Sequence, residues 1–222
     1  MASASSAPLK VGVLISGRGS NLQALIAVCA ATGFPAQIAC VISNKADAKG
    51  LDHARKANIP AFVVSHKDYA DKAGFEAAME AVLERHQVQL VCLAGFMRLL
   101  SAGFAERWRD RVINIHPSLL PAFPGLDVHE KVLAYGVKLT GCTVHFVRAE
   151  MDHGPIIVQA AVPVLADDTE ETLAARVLQA EHKAYPAALR LIAEGRVNII
   201  DERTFIADAA IAGEAFFSPK VR

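Results

Sequence analysis

Short apolar runs recur along the chain, and helical patterns separate them. Residues 10–16, KVGVLIS, read as a strand, and residues 20–31, SNLQALIAVCAA, as a helix opened by Ser20. A second strand follows at 37–43, QIACVIS, and a helix at 49–58. Further strands are predicted at 61–65, 90–95 and 112–116, with helical segments near 72–86 and 101–110. Near-continuous Val, Ile and Leu runs mark strands buried on both faces. Their alternation with helices predicts an α/β fold built on a doubly wound, mostly parallel sheet. The second half changes character. GCTVHFVRA at 141–149 and GPIIVQAAVPV at 154–164 lie close together with no helix between them, which predicts antiparallel pairing in the C-terminal half. A long helix is expected over 169–194, and beyond RVNII at 196–200 the tail is weakly patterned.

The 222 residues are 53% hydrophobic and carry 23 basic and 23 acidic side chains. That length and composition predict a single domain over 1–222 with a substantial core. A balanced charge argues against a general nucleic-acid grip, though a local patch for one phosphate fits. The opening MASASSAP has no apolar stretch behind it, so 1–8 reads as a frayed leader and not as a secretory signal. No apolar run approaches a membrane span. Cys29, Cys40, Cys92 and Cys142 are scattered without a C-x-x-C pair, as expected of reduced core thiols in a cytoplasmic protein. No feature of the sequence sets an oligomeric state.

In open α/β sheets, ligands bind beyond the carboxyl ends of the strands, so the residues following each strand carry the functional information. The first strand is followed by SGRGSN at 16–21. Glycines let backbone approach a ligand, and the N–H groups opening the next helix favour an anion. No Gly-Lys-Ser/Thr follows, and the last glycine of a dinucleotide fingerprint would fall at Leu22. A single phosphate fits better than either; the plain alternative is a glycine-rich turn with a serine cap.

INIHPSLLP at 113–121 poses the sharper question. Residues two apart in a strand share a face, so Asn114 and His116 project together where the strand ends at Pro117. An unpartnered buried amide or imidazole costs about 1–3 kcal/mol. The two need internal partners or a ligand. A lone histidine here would read as a core residue bonded to backbone, but the neighbouring amide shifts the reading to an oxyanion site on a carbonyl under attack. Histidine also titrates near neutrality and exchanges protons. GCTVHFV repeats the pattern with Thr143 and His145, and RAEMDHGP at 148–155 then offers Glu150, Asp152 and His153. An ionised Asp152 beside His116 would hold the imidazole charged, orient it and relay a proton through water. Alternatively, Asp152 is a turn residue bonded to its own backbone. No His-x-x-x-His or cysteine pair supports a metal, and none is expected.

Taken together, NIHPSLLP at 114–121 and GCTVHFVRAEMDHGPII at 141–157 resemble the signature of the folate-dependent formyltransferases. VLISGRGSNLQALI, SNKADAKGL and LAGFMRLLS extend the similarity, which runs from about 10 to 200. The resemblance implies a Rossmann-like formyltransferase fold. It also implies transfer of a formyl group from 10-formyltetrahydrofolate to the amine of glycinamide ribonucleotide, a step of purine biosynthesis. Asn114, His116 and Asp152 match the family's catalytic residues. Gly19, Ser20 and Asn21 match its phosphate loop, and Glu181 a glutamate that meets the ribonucleotide. Met97, Arg98, Leu99 and Leu100 match its folate segment, with Asn114 bordering the same pocket. Lys72, a further folate candidate, stands where relatives often carry arginine. Asp127 stands where they often carry histidine or an uncharged residue. The pterin is expected in an apolar slot near 96–100 and 147–152, with its glutamate tail toward solvent and the loop 118–127 over it.

Three rival readings accompany this one. A methionyl-tRNA formyltransferase shares the central signature, but it adds a C-terminal domain and grips RNA. A formyltetrahydrofolate hydrolase shares the catalytic residues, but it carries an N-terminal regulatory domain, whereas here the first strand begins within a dozen residues. A non-catalytic folate- or nucleotide-binding module would have no use for the three catalytic positions.

Overall fold

The computed structural model describes residues 7–209 and residue 218, so most of the expected leader and the end of the tail lie outside the described residues. Its centre is a seven-stranded sheet in the order β3-β2-β1-β4-β5-β6-β7. The strands are β1 (Leu9–Ile15), β2 (Ala36–Ser43), β3 (Ala61–Val63), β4 (Leu90–Leu93), β5 (Val112–His116), β6 (Leu139–Phe146) and β7 (Ile156–Pro163). The first five run parallel; β6 is antiparallel to both β5 and β7. The helices are α1 (Ser20–Cys29), α2 (Gly50–Lys56), α3 (Lys72–Arg85), α4 (Ala102–Arg107), α5 (Val128–Tyr135) and α6 (Glu170–Ala193).

Alternation along the strands divides the core between the two faces. Val11, Val13 and Ile15 pack with Leu90, Cys92, Ile113 and Ile115 against α1, α2, α5 and α6. Leu14, Val91, Leu93 and Val112 pack on the other face against α3 and α4. Asn114 and His116 share the face of Val112 and extend it past the edge of that apolar cluster. The buried Tyr185 hydroxyl of α6 lies 3.0 Å from the Leu93 carbonyl and 3.1 Å from that of Ile113, tying α6 to the β4–β5 pair beneath the site.

Three features depart from the sequence reading. Ser20 does not cap α1: Gly19 occupies the cap position at φ 75°, and no side chain bonds the helix start. α5 forms within a stretch that carries no strong helical pattern. The tail folds into a hairpin, β8 (Val197–Ile200) with β9 (Arg203–Ile206), joined by the two-residue turn Asp201–Glu202.

Candidate active site

The strand order reverses between β1 and β4, and a pocket of about 360 Å³ opens there. The loop 16–21, Lys45, residues 94–95 and Met97 line it. Gly19 is required twice over. Its φ of 75° disfavours side chains, and a Cβ would come within 2.6 Å of the Gly50 Cα. The Gly50 N–H donates to the Gly17 carbonyl at 3.0 Å, which clips α2 to the loop. Gly19, Ser20 and Asn21, the candidates for a phosphate loop, all line the pocket. Arg18 and Lys45 line it too, and both are exposed cations that the sequence reading did not nominate. Lys45 follows the carboxyl end of β2, so the rule that led to SGRGSN applied to it equally.

Glu181 is not on the pocket wall. It stands behind Asn21, which donates from Nδ2 to the Glu181 carboxylate at 2.7 Å. Burial holds the Glu181 carboxyl above its ordinary range, and the Asn21 bond pulls the other way. The Asn21 Oδ1 is buried with no partner.

The structure brings Asn114, His116 and Asp152 together. Register places Asn114 opposite His145 and His116 opposite Thr143. His116 is 5% exposed, and its Nε2 donates to the Phe123 carbonyl at 2.9 Å. A carbonyl only accepts, so that bond fixes the proton on Nε2. Proton exchange is thereby confined to Nδ1, which lies 3.5 Å from Asp152 Oδ2. Asp152, at φ 58°, accepts the Gly125 N–H at 2.8 Å, and its other oxygen lies 3.9 Å from His145 Nε2. The Asp152 carboxylate therefore bonds the opposing loop, and the alternative of a self-bonded turn does not hold.

His145 orients the amide. Its Nδ1 donates to the Phe146 carbonyl at 2.9 Å, leaving a lone pair on Nε2, 3.5 Å from Asn114 Nδ2. Burial lowers the His145 pKa, which keeps the ring neutral and able to accept. Thr143 Oγ1 donates to the Ser118 carbonyl at 2.7 Å and accepts the Leu120 N–H at 3.0 Å, pinning the foot of the loop 118–127. That loop lies on His116 and Asp152 through the Phe123 carbonyl and the Gly125 N–H. Both are backbone groups, and no side-chain pattern could have announced them.

The folate candidates occupy the turn after β4. The Met97 N–H donates to Ser16 Oγ at 2.8 Å, so this segment is joined to the loop 16–21. Met97 and Leu99 are 67% and 66% exposed, unusual for apolar side chains beside a pocket. Leu100 is half-buried and Arg98 exposed. Lys72 opens α3 and shares a second cavity, about 220 Å³, with His66, Phe75, Arg98 and Leu99. The structure thus puts Lys72 beside Arg98 and Leu99 but outside the group formed by Asn114, His116 and Asp152. Asp127 precedes α5 at φ 55° and makes no side-chain cap bond. Among the described residues, no group of three or more His, Cys, Asp or Glu side chains has metal-binding geometry. Nor is any described helix long and apolar enough to cross a membrane.

An amide, an imidazole and a carboxylate thus converge beyond a Rossmann-like sheet, and the sequence pattern of the formyl transferase family matches residues 9–189. The chain belongs to that family. Relatives similar over nearly their whole length include phosphoribosylglycinamide formyltransferases. The Haemophilus influenzae protein of that name is 40% identical over 202 residues, covering 91% of this chain and 95% of its own. The solved structure of glycinamide ribonucleotide transformylase 1 from Symbiobacterium toebii superposes with a TM-score of 0.88 at 50% identity, covering 90% of this chain and 95% of its own. The trifunctional purine biosynthetic protein adenosine-3 of Gallus gallus is 52% identical over 191 residues, 86% of this chain. This chain spans only 19% of that relative's length.

Proposed function

We propose that this chain transfers the formyl group of 10-formyltetrahydrofolate to the amine of glycinamide ribonucleotide. One observation carries the reading: His116 Nδ1 faces Asp152 at the end of β5, and His145 stands between Asp152 and Asn114 Nδ2, beside a cation-lined pocket of about 360 Å³. Loop 16–21 with Lys45 and Arg18 holds the ribonucleotide phosphate, and Glu181 acts on that side through Asn21. Met97, Arg98, Leu99 and Leu100 border the folate, with Lys72 toward its outer end.

The neutral amine attacks the formyl carbon, and a carbon–nitrogen bond forms. Negative charge gathers on the formyl oxygen. The free Asn114 N–H and the protonated Nδ1 of His116 stabilise it. The Asp152 carboxylate stabilises the charged imidazole. The tetrahedral intermediate then collapses, and the bond from the formyl carbon to the folate nitrogen breaks. The amine's surplus proton passes, through water held at Asp152, to that leaving nitrogen. Products are the formamide and tetrahydrofolate, with no covalent enzyme intermediate. The free, largely buried thiols suit a reducing cytoplasm.

An absorbance assay for the deformylated folate tests the reading. Product that appears only when glycinamide ribonucleotide is present is expected. Product formed without an acceptor would instead identify a hydrolase, and no product would identify a binding module.

A further inference from the structure

We propose that Arg148 and Glu202 are positioning residues, through which the C-terminal hairpin holds the loop that carries Asp152. The inference rests on the functional reading above, because it assigns these two residues to the geometry of that site.

Asp152 sits in the loop 147–154, and residues 149–151 are exposed, so no core contact fixes that limb. The base is closed by Phe146 N–H to the Pro155 carbonyl at 2.9 Å, and the far side by Gly125 to Asp152. Between these tethers stands Arg148, whose side chain is 10% exposed. Its Nη2 donates to Asp110 at 2.7 Å, its Nε to Glu202 at 2.6 Å and its Nη1 to the Val147 carbonyl at 3.1 Å. Arg109, beside Asp110, also donates to Glu202. One carboxylate from the hairpin thus joins two arginines, Arg148 at the foot of the Asp152 loop and Arg109 ahead of β5.

The hairpin turn supplies a second, independent observation. Asp201 and Glu202 both adopt positive φ, 48° and 58°. A two-residue turn of this kind favours Asn-Gly, because both positions are left-handed. Glutamate gains nothing locally there. Strain of this sort persists where surrounding contacts over-determine it. The contacts around Glu202 are the two guanidinium groups. Its carboxylate is held below the ordinary range, chiefly by Arg148. The hairpin itself is anchored by Thr204 Oγ1, which donates to the Ile156 carbonyl of β7.

Glu202→Gly separates the clamp from hairpin stability, since glycine suits the turn but cannot reach Arg148. Turnover is expected to fall about 10- to 100-fold, as for a small misplacement of a reacting group. The KM for glycinamide ribonucleotide should stay unchanged, and the melting temperature should hold or rise. Amide exchange measured without substrates should quicken at Phe146 and Gly125, the two amides that close the Asp152 loop, while β8 and β9 keep their protection. Arg148→Met should lose the same turnover, and the double variant should be no worse than the weaker single one. Unchanged exchange at Phe146 and Gly125, additive losses, or turnover falling together with β8–β9 protection would each overturn the clamp. A parent inactive with both substrates would sink the functional reading, while the exchange comparison would still decide the clamp.

Discussion

Replacing Asp152 by asparagine keeps the side chain's shape and removes its charge. The carboxylate is 9% exposed, and its Oδ2 stands 3.5 Å from His116 Nδ1. At an effective dielectric of about 20, unit charges at that separation attract by about 5 kcal/mol. The asparagine oxygen can still accept the Gly125 N–H, so the loop keeps its tether. The amide dipole recovers part of the lost attraction. A net loss of about 4 kcal/mol in the transition state corresponds to roughly a thousandfold drop in turnover. The assay is steady-state absorbance of the folate product with both substrates saturating, paired with a thermal melt. The expected result is that drop with a nearly unchanged melting temperature. Turnover within about tenfold of the parent, at full folding, would refute the ion pair as a catalytic element.

His116→Ala and Asn114→Ala should each lose at least about 100-fold in kcat, the usual consequence of removing one oxyanion donor, with unchanged circular dichroism. Lys45→Ala and Arg18→Ala should raise the KM for the ribonucleotide by about tenfold or more, as charge-assisted bonds are lost, and leave the folate KM alone; initial-rate kinetics reads both. Gly19→Ala should destabilise the chain and weaken ribonucleotide binding, because of the left-handed backbone and the 2.6 Å approach to Gly50, which urea melts and titration calorimetry check. His145 has its folded-state pKa lowered by burial, so the unfolded chain binds the extra proton more readily. Its stabilising contribution is complete above the unfolded value, about 6.5, and is lost as pH falls through the folded value. Melts over that range should show the loss, and His145→Asn should flatten it.

Legibility of the sequence varied with the physical source of each signal. β5 was readable because its period of two and its terminal proline are local facts, and Val112–His116 forms as expected. The parallel sheet was readable because Val13, Leu14 and Ile15 can alternate faces only if both are covered. α5 was hidden: it is short, and its start lies at a left-handed Asp127 with no cap bond, although Gly136 ends it in the usual way. β9 was hidden because Asp201–Glu202 lacks the glycine that marks a tight hairpin. The convergence of Asn114, His116 and Asp152 was legible through side-chain chemistry and family resemblance. Their partners were not, because the Phe123 carbonyl and the Gly125 N–H belong to every sequence and reach the site only through the path of a loop.

Following the formyl carbon itself tests the central claim most directly. With isotopically labelled 10-formyltetrahydrofolate and glycinamide ribonucleotide, label should be recovered one-for-one in the ribonucleotide's new formamide, and His116→Ala should slow that recovery. Label released mainly as free formate, with the ribonucleotide unmodified, would contradict direct transfer to the amine.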